Sequence, residues 1–434
     1  MDAMKDSGIE WIGDIPQNWK LKRIQFCLDE INEKNIPIKT EQVLSLVKDK
    51  GVLLYEDKGN QGNKAKEDVS QYKIAYPNTL IVNSMNILIG SVGISNYLGC
   101  VSPVYYVFKE NEDSDLRYIN YIFNTREFQK ELRKYANGIL EIRLRVSSSD
   151  IFKRKIPLPD KHIQTKIANF LDKKCAEIDT LHSDIEKQIE MLEEYKKSII
   201  TETVTKGLDP DVEMKNSGIE WIGMIPKNWS VTRIGYESWI RARLGWKGLK
   251  AEEYVLEGHP FLSAFNIIQN KISWDELDYI TDERYNESPE IMLKVGDIVL
   301  VKDGAGIGKC AKIDSLPYKT ATTNGSLAVI SSTVEKLDYN YLYFYLQSAM
   351  FQNYILRIMN GMGVPHLSQE ELRKIKIPFP PINEQIQIAK YLEKKRNDID
   401  MAILEKIQQL ETLEQYKKSV IYEYVTGKKE IPIG

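Results

Sequence analysis

The chain has 434 residues, 42% apolar and 28% charged, which is a globular composition with material for two or three domains and argues against disorder. Lys and Arg total 59 against 62 Asp and Glu, a net charge of −3, so a uniformly basic nucleic-acid-binding domain is excluded and positive charge must be sought locally. Cys27, Cys100, Cys175 and Cys310 form no Cys-x-x-Cys pair, and His162, His182, His259 and His366 stand at no metal-ligand spacing near them, so no structural zinc, disulfide framework, metal or cofactor is expected.

The chain begins with a charged stretch, Met1 to Glu10, without an apolar leader, and a cytoplasmic location is expected. A lead follows, Ser7-Gly-Ile-Glu-Trp-Ile-Gly-Asp-Ile-Pro-Gln-Asn-Trp19, in which Gly, Pro and Asn punctuate Trp11, Ile12, Ile15 and Trp19. It cannot be regular helix and should dock as a loop or short turn against an apolar surface. Ile74 to Phe108 has no Lys, Arg, Asp or Glu, but Pro77, Asn78, Asn83, Ser84, Asn86, Ser91, Asn96 and Pro103 interrupt it, so it reads as buried strands and turns rather than a membrane span. Thr79-Leu-Ile-Val82 and Val104-Tyr-Tyr-Val-Phe108 have strand character. Leu116 to Tyr135 has helical periodicity.

After Pro159, Leu171, Ile178, Ile185, Leu192 and Ile199 recur at every seventh position, with Ile167, Leu181 and Tyr195 between them, which is a coiled-coil seam. The helix from His162 to Lys206 would be ~65 Å long at 1.5 Å per residue, too long for one small core.

The order then repeats. Ser217-Gly-Ile-Glu-Trp-Ile-Gly-Met-Ile-Pro-Lys-Asn-Trp229 copies the first lead at an offset of 210, bringing Trp221 and Trp229. Lys155-Ile-Pro-Leu-Pro159 returns as Lys376-Ile-Pro-Phe-Pro380, and Leu192-Glu-Glu-Tyr195 returns as Leu413-Glu-Gln-Tyr416, both at an offset of 221. The second half again has strand runs, Asp297-Ile-Val-Leu-Val301 and Ser326-Leu-Ala-Val-Ile330, a helical stretch from Tyr339 to Met359, and a long seam of Leu392, Ile399, Ile403, Ile407, Leu410, Leu413 and Val420. A repeat of this length duplicates whole domains rather than solenoid units. The frame is shared and the inserts between landmarks diverge.

The expected fold is α+β: two mixed α/β domains separated by two long antiparallel coiled-coil helices, in an internal pseudo-twofold duplication. The expected boundaries are 1–160, 161–208, 209–381 and 382–434.

The leads Gly8-Ile-Glu-Trp-Ile-Gly13 and Gly218-Ile-Glu-Trp-Ile-Gly223, together with Asn360-Gly-Met-Gly-Val-Pro-His-Leu-Ser368 and Glu384-Gln-Ile-Gln-Ile-Ala389, resemble type I restriction-modification specificity subunits along the whole chain. The resemblance implies two target-recognition domains on double-stranded DNA, held apart by paired helices. It further implies two methyltransferase subunits recruited as partners, restriction and motor subunits beside them, and no membrane. Because the two inserts differ, the target should be bipartite and asymmetric. One departure stands out: the first half has Asn137-Gly-Ile-Leu-Glu-Ile-Arg-Leu-Arg145 where the second has Pro365-His366, so the correspondence is loose at that loop.

Base and phosphate contacts call for Arg, Lys, Asn, Gln or hydroxyl side chains. The candidates are Arg143, Arg145 and Lys153 in the first half, with Ser147, Ser148 and Ser149 as weaker ones, and Arg241, Arg243, Lys247, Lys250, Lys302, Lys309 and His366 in the second. Trp11, Trp19, Trp221, Trp229, Tyr195 and Tyr416 are the candidates for partner binding. Gly304-Ala-Gly-Ile-Gly308-Lys309 lacks the spacing and the Ser or Thr of a phosphate-binding loop, and reads as a tight turn. No catalytic motif is present, so no enzyme is expected. The rival reading is a non-catalytic coiled-coil scaffold that binds proteins rather than DNA; salt-dependent duplex binding separates the two.

Overall fold

The computed structural model describes residues 3–48, 50–59, 68–138, 144–243, 249, 251–304, 306–333, 335–359 and 366–432. Two compact units result, one from residues 1–185 with 407–434, the other from residues 186–406.

In the first unit β1 (Leu28–Glu30), β2 (Thr79–Asn83), β3 (Val92–Ser95) and β4 (Tyr105–Glu110) form an antiparallel sheet in the order β1-β4-β2-β3. β2 is buried throughout because both of its faces are covered. Leu80 and Val82 join a core with Ile119, Ile122 and Phe123 of helix α1 (Leu116–Phe123), while Ile81 joins a second core with Leu44, Leu46 and Val107. An uninterrupted apolar run is what a strand packed on two sides requires.

The long helix α2 (Lys161–Lys206) is 46 residues, about 69 Å at 1.5 Å per residue. In the second unit β5 (Ser238–Arg241), β6 (Ile298–Val301), β7 (Cys310–Lys312) and β8 (Leu327–Ser332) repeat the same order, β5-β8-β6-β7. The alternation repeats as well: Ile298 and Leu300 pack with helix α3 (Tyr339–Gln347), and Val299 and Val301 face the other core. The final long helix is α4 (Ile382–Val425). No described helix is long and apolar enough to cross a membrane.

The helical stretches expected over 116–135 and 339–359 are each split in two. Thr125 and Ser348 cap a second helix, their hydroxyls accepting from Phe128 N and Phe351 N, because a short hydroxyl side chain offers the backbone an alternative partner.

Within the first unit the start of α2 runs antiparallel to the end of α4: the Phe170 ring lies 4.5 Å from that of Tyr424, and Lys417 Nζ donates to Asp179 Oδ1 at 2.5 Å. In the second unit Lys196 Nζ donates to Asp400 Oδ1 at 3.0 Å, and Gly207, just past α2, lies beside Glu384. Ile167, Leu171, Ile178 and Ile185 are buried in the first unit, and Leu392, Ile399 and Ile403 in the second. Leu181, Tyr195 and Ile407, read as seam residues, are exposed instead, since two paired helices bury a narrow stripe and flanking positions turn outward.

Each lead forms a small hairpin, Met4–Asp6 with Asp14–Pro16 and Met214–Asn216 with Met224–Pro226. The first packs on the end of α4, where Gly427, at φ +72°, leaves room for Pro16 and Trp19. The second packs on the end of α2, where Gly207, at φ +80°, faces Trp229. A side chain at either glycine would be strained by the positive φ and, at Gly427, would collide with Pro16.

Candidate nucleic-acid interface

Strand register determines which candidates meet. In the second unit Val301 closes β6 opposite Leu327, and its N–H donates to the Lys309 carbonyl at 2.8 Å. Arg241 pairs with Val329 on β8, so Arg243, two residues on, arrives at the same end of the sheet. One step further along, Lys302 N donates to Ser326 O at 2.9 Å, and Leu367 N donates to Lys302 O at 2.8 Å, which draws His366 against Asp303. Arg243, Lys302, Lys309 and His366 therefore gather at one sheet end. Lys302 is paired to Asp303 at 2.8 Å, whereas Lys309 is exposed. The glycine-rich run is the β6-to-β7 turn, with Gly304 and Gly308 at positive φ and Gly308 N donating to Val301 O at 2.9 Å.

Arg241 does not belong with them. It is 5% exposed, and its guanidinium donates to Asp297 Oδ2 at 2.6 Å and to the Glu290 and Met292 carbonyls. Two residues inside the sheet, it is a structural cation locked in a buried pair; the basic cluster in the sequence could not reveal that one of its members points inward. Lys247 and Lys250 lie outside the described residues, as does Arg143.

In the first unit Val146 N donates to Ser84 O at 3.1 Å, just past the end of β2, and Arg145 is paired to Asn137 through backbone bonds of 2.8 and 2.9 Å. Arg145 thus takes the place that His366 takes in the second unit, at the 221-residue offset of the frame, and is exposed. The loose correspondence in this loop resolves into one position with two chemistries. Lys153 is exposed at the far end of the short helix Ser148–Lys153, away from Arg145. Ser147 is occupied as that helix's cap.

Asn83 and Ser91, which had only marked breaks in an apolar run, face a cleft of about 410 Å³ at this same sheet end. Nothing in their local sequence sets them apart from turn punctuation.

Of the candidates for partner binding, Trp11, Trp19 and Trp229 are buried in their own units, Trp229 at 1% exposure, so they are core residues: the leads find their apolar surface within the chain. Trp221 stacks on Tyr354 with ring centroids 4.4 Å apart. Tyr195 and Tyr416 are exposed on the long helices, as are Met191 on α2 and Met401 and Leu404 on α4. Among the described residues no group of three or more His, Cys, Asp or Glu could hold a metal ion.

The model of the type I restriction modification DNA specificity domain matches residues 16–191 and again 249–412. The chain belongs to that family. A curated relative, the type I restriction enzyme MjaVIII specificity subunit of Methanocaldococcus jannaschii, is 29% identical over 349 residues, covering 80% of this chain and 76% of that one. The HsdS subunit from Thermoanaerobacter tengcongensis aligns over 96% of this chain and 98% of its own at 14% identity, with a TM-score of 0.57. A chain from a structure that addresses complex assembly and conformational transition of the type I R-M system aligns over 96% of this chain and 99% of its own at 14% identity, with a TM-score of 0.73. Membership assigns the chain to DNA target recognition, and the two matches fall on its two halves.

Proposed function

We propose that the chain is the DNA-reading subunit of a type I restriction-modification complex and recognises a bipartite, asymmetric target. Residues 1–160 and 209–381 are the two readers, and 161–208 and 382–434 are the helices that space them. The carrying observation is that both units build the same four-stranded sheet and end it with different side chains: Asn83, Ser91 and Arg145 in one, Val301, Lys309 and His366 in the other. A shared frame with unlike reading ends suits two unlike half-sites. The exposed apolar side chains of α2 and α4, Tyr195 and Tyr416 among them, supply the surface for two methyltransferase subunits, with restriction and motor subunits completing the complex. The chain itself contributes no catalysis, and the complex works in the cytoplasm.

The test is to copurify the chain with the methyltransferase encoded beside it and map adenine methylation across the genome. One split, asymmetric motif that changes when either variable insert is exchanged supports the reading. If no methyltransferase binds and methylation does not change, the chain is a scaffold for other proteins.

A further inference from the structure

The cleft at the end of the first sheet is about 410 Å³, within the range of small-molecule sites. Two of its polar side chains are buried yet incompletely used. Asn83 is 4% exposed; its Oδ1 accepts from Met85 N at 3.1 Å, but its Nδ2 donates to nothing among the described residues. Ser91 is 3% exposed, and its hydroxyl has no partner among the described residues. Neither atom is sealed off in the core: both line the cleft, so their vacant hydrogen-bonding capacity is open to whatever enters it. Tyr105, opposite Asn83 in register, lines the cleft together with Tyr55 and Tyr72.

We propose that this cleft takes a purine base bearing adenine's hydrogen-bonding edge, read by the Asn83 amide. One donor beside one acceptor matches adenine N7 and N6–H₂, whereas guanine presents two acceptors there and leaves Oδ1 facing O6. Oδ1 has a second lone pair for this bond. Aromatic walls stack on a base, and a concave site admits one only when it stands outside the duplex stack or arrives as a free nucleotide. At the 218-residue offset between β2 and β6, Val301 and Lys309 stand in the second unit for Asn83 and Ser91, so the preference belongs to the first half alone. Only the source of the base rests on the DNA-reading assignment.

The full-length chain is titrated with AMP, GMP, oligo-dA, oligo-dT and a mixed-sequence duplex, alongside Asn83→Asp, which keeps the acceptor for Met85 N and removes the donor, and Ser91→Ala. Adenine ligands are expected to bind about tenfold tighter than their counterparts, a margin that Asn83→Asp abolishes and Ser91→Ala reduces. Duplex affinity should stay salt-dependent throughout. Discrimination by oligo-dA without AMP assigns the base to DNA, and discrimination by both extends the site to free nucleotides. Equal binding of adenine and guanine or thymine ligands to the unmodified chain overturns the proposal, as does a preference that survives both variants. If Asn83→Asp lowers the melting temperature, Asn83→Ser and Ser91→Ala decide. Loss of duplex binding with adenine discrimination intact would count against the DNA-reading assignment and leave the cleft proposal standing.

Discussion

The Tyr118 hydroxyl lies 2.8 Å from the Val425 carbonyl, 307 residues away, and 3.0 Å from that of Pro157. The second unit repeats the arrangement with Tyr341, Val204 and Pro378, so in each unit a fully buried phenol on the first helix after the sheet ties down the end of a long helix. Tyr118→Phe and Tyr341→Phe each leave buried carbonyls short of a donor and should cost about 1–3 kcal/mol, measured by urea unfolding. A loss below a few tenths would mean that these bonds do not fasten the helix ends.

Burial holds both phenols well above their ordinary value of 10. Because the folded value is raised, their contribution is complete below pH 10 and is lost as pH rises beyond it, the unfolded chain ionising first. Unfolding midpoints measured upward from pH 9 should fall, and the phenylalanine variants should fall less steeply.

The four cysteines are free and buried, and desolvation raises the thiol of Cys310 from 9.0 to about 12 and that of Cys100 to about 11. A buried thiol carries little thiolate and reacts slowly. In the native chain at pH 8 Ellman's reagent should label almost no thiol, and in denaturant four. Rapid native labelling of Cys310 would contradict its enclosure in the core.

Arg241→Ala removes the partner of the buried Asp297 carboxylate and should destabilise the second unit by about 3–5 kcal/mol. Arg241→Met, which fills the space, leaves the same carboxylate stranded and should not rescue the loss, whereas pairing it with Asp297→Leu should recover much of it. Thermal unfolding distinguishes a structural arginine from one that only meets solvent.

Arg145→Ala and Lys309→Ala should leave unfolding unchanged within about 0.5 kcal/mol and weaken duplex binding. Each lost phosphate contact lowers the slope of log affinity against log salt by about 1, and a base contact costs about 1–3 kcal/mol on one half-site only. Fluorescence anisotropy at several salt concentrations separates the two kinds of contact.

The duplication, the strand runs and the long helices are legible in the sequence because each is a local or periodic pattern: repeated leads at an offset of 210, apolar runs bounded by Asn and Gly, and apolar residues at seven-residue steps from Leu171 to Ile199. What lies at right angles to the chain is not encoded so directly. The sequence calls for the leads to dock on an apolar surface and offers Trp11, Trp19 and Trp229 to a partner, and only the packing of each lead on a distant helix end shows that the surface is the chain's own and these residues are core. Arg241 and Arg243 are two residues apart in one basic cluster, yet strand pairing buries the first against Asp297 and carries the second to the sheet end. Asn83 and Ser91 looked like turn punctuation until antiparallel register set them on one cleft with Tyr105. Sequence determines what each segment is, since propensity and periodicity act between near neighbours; which side chains share a site is decided by long-range pairing and burial, which bring together residues that no local pattern connects.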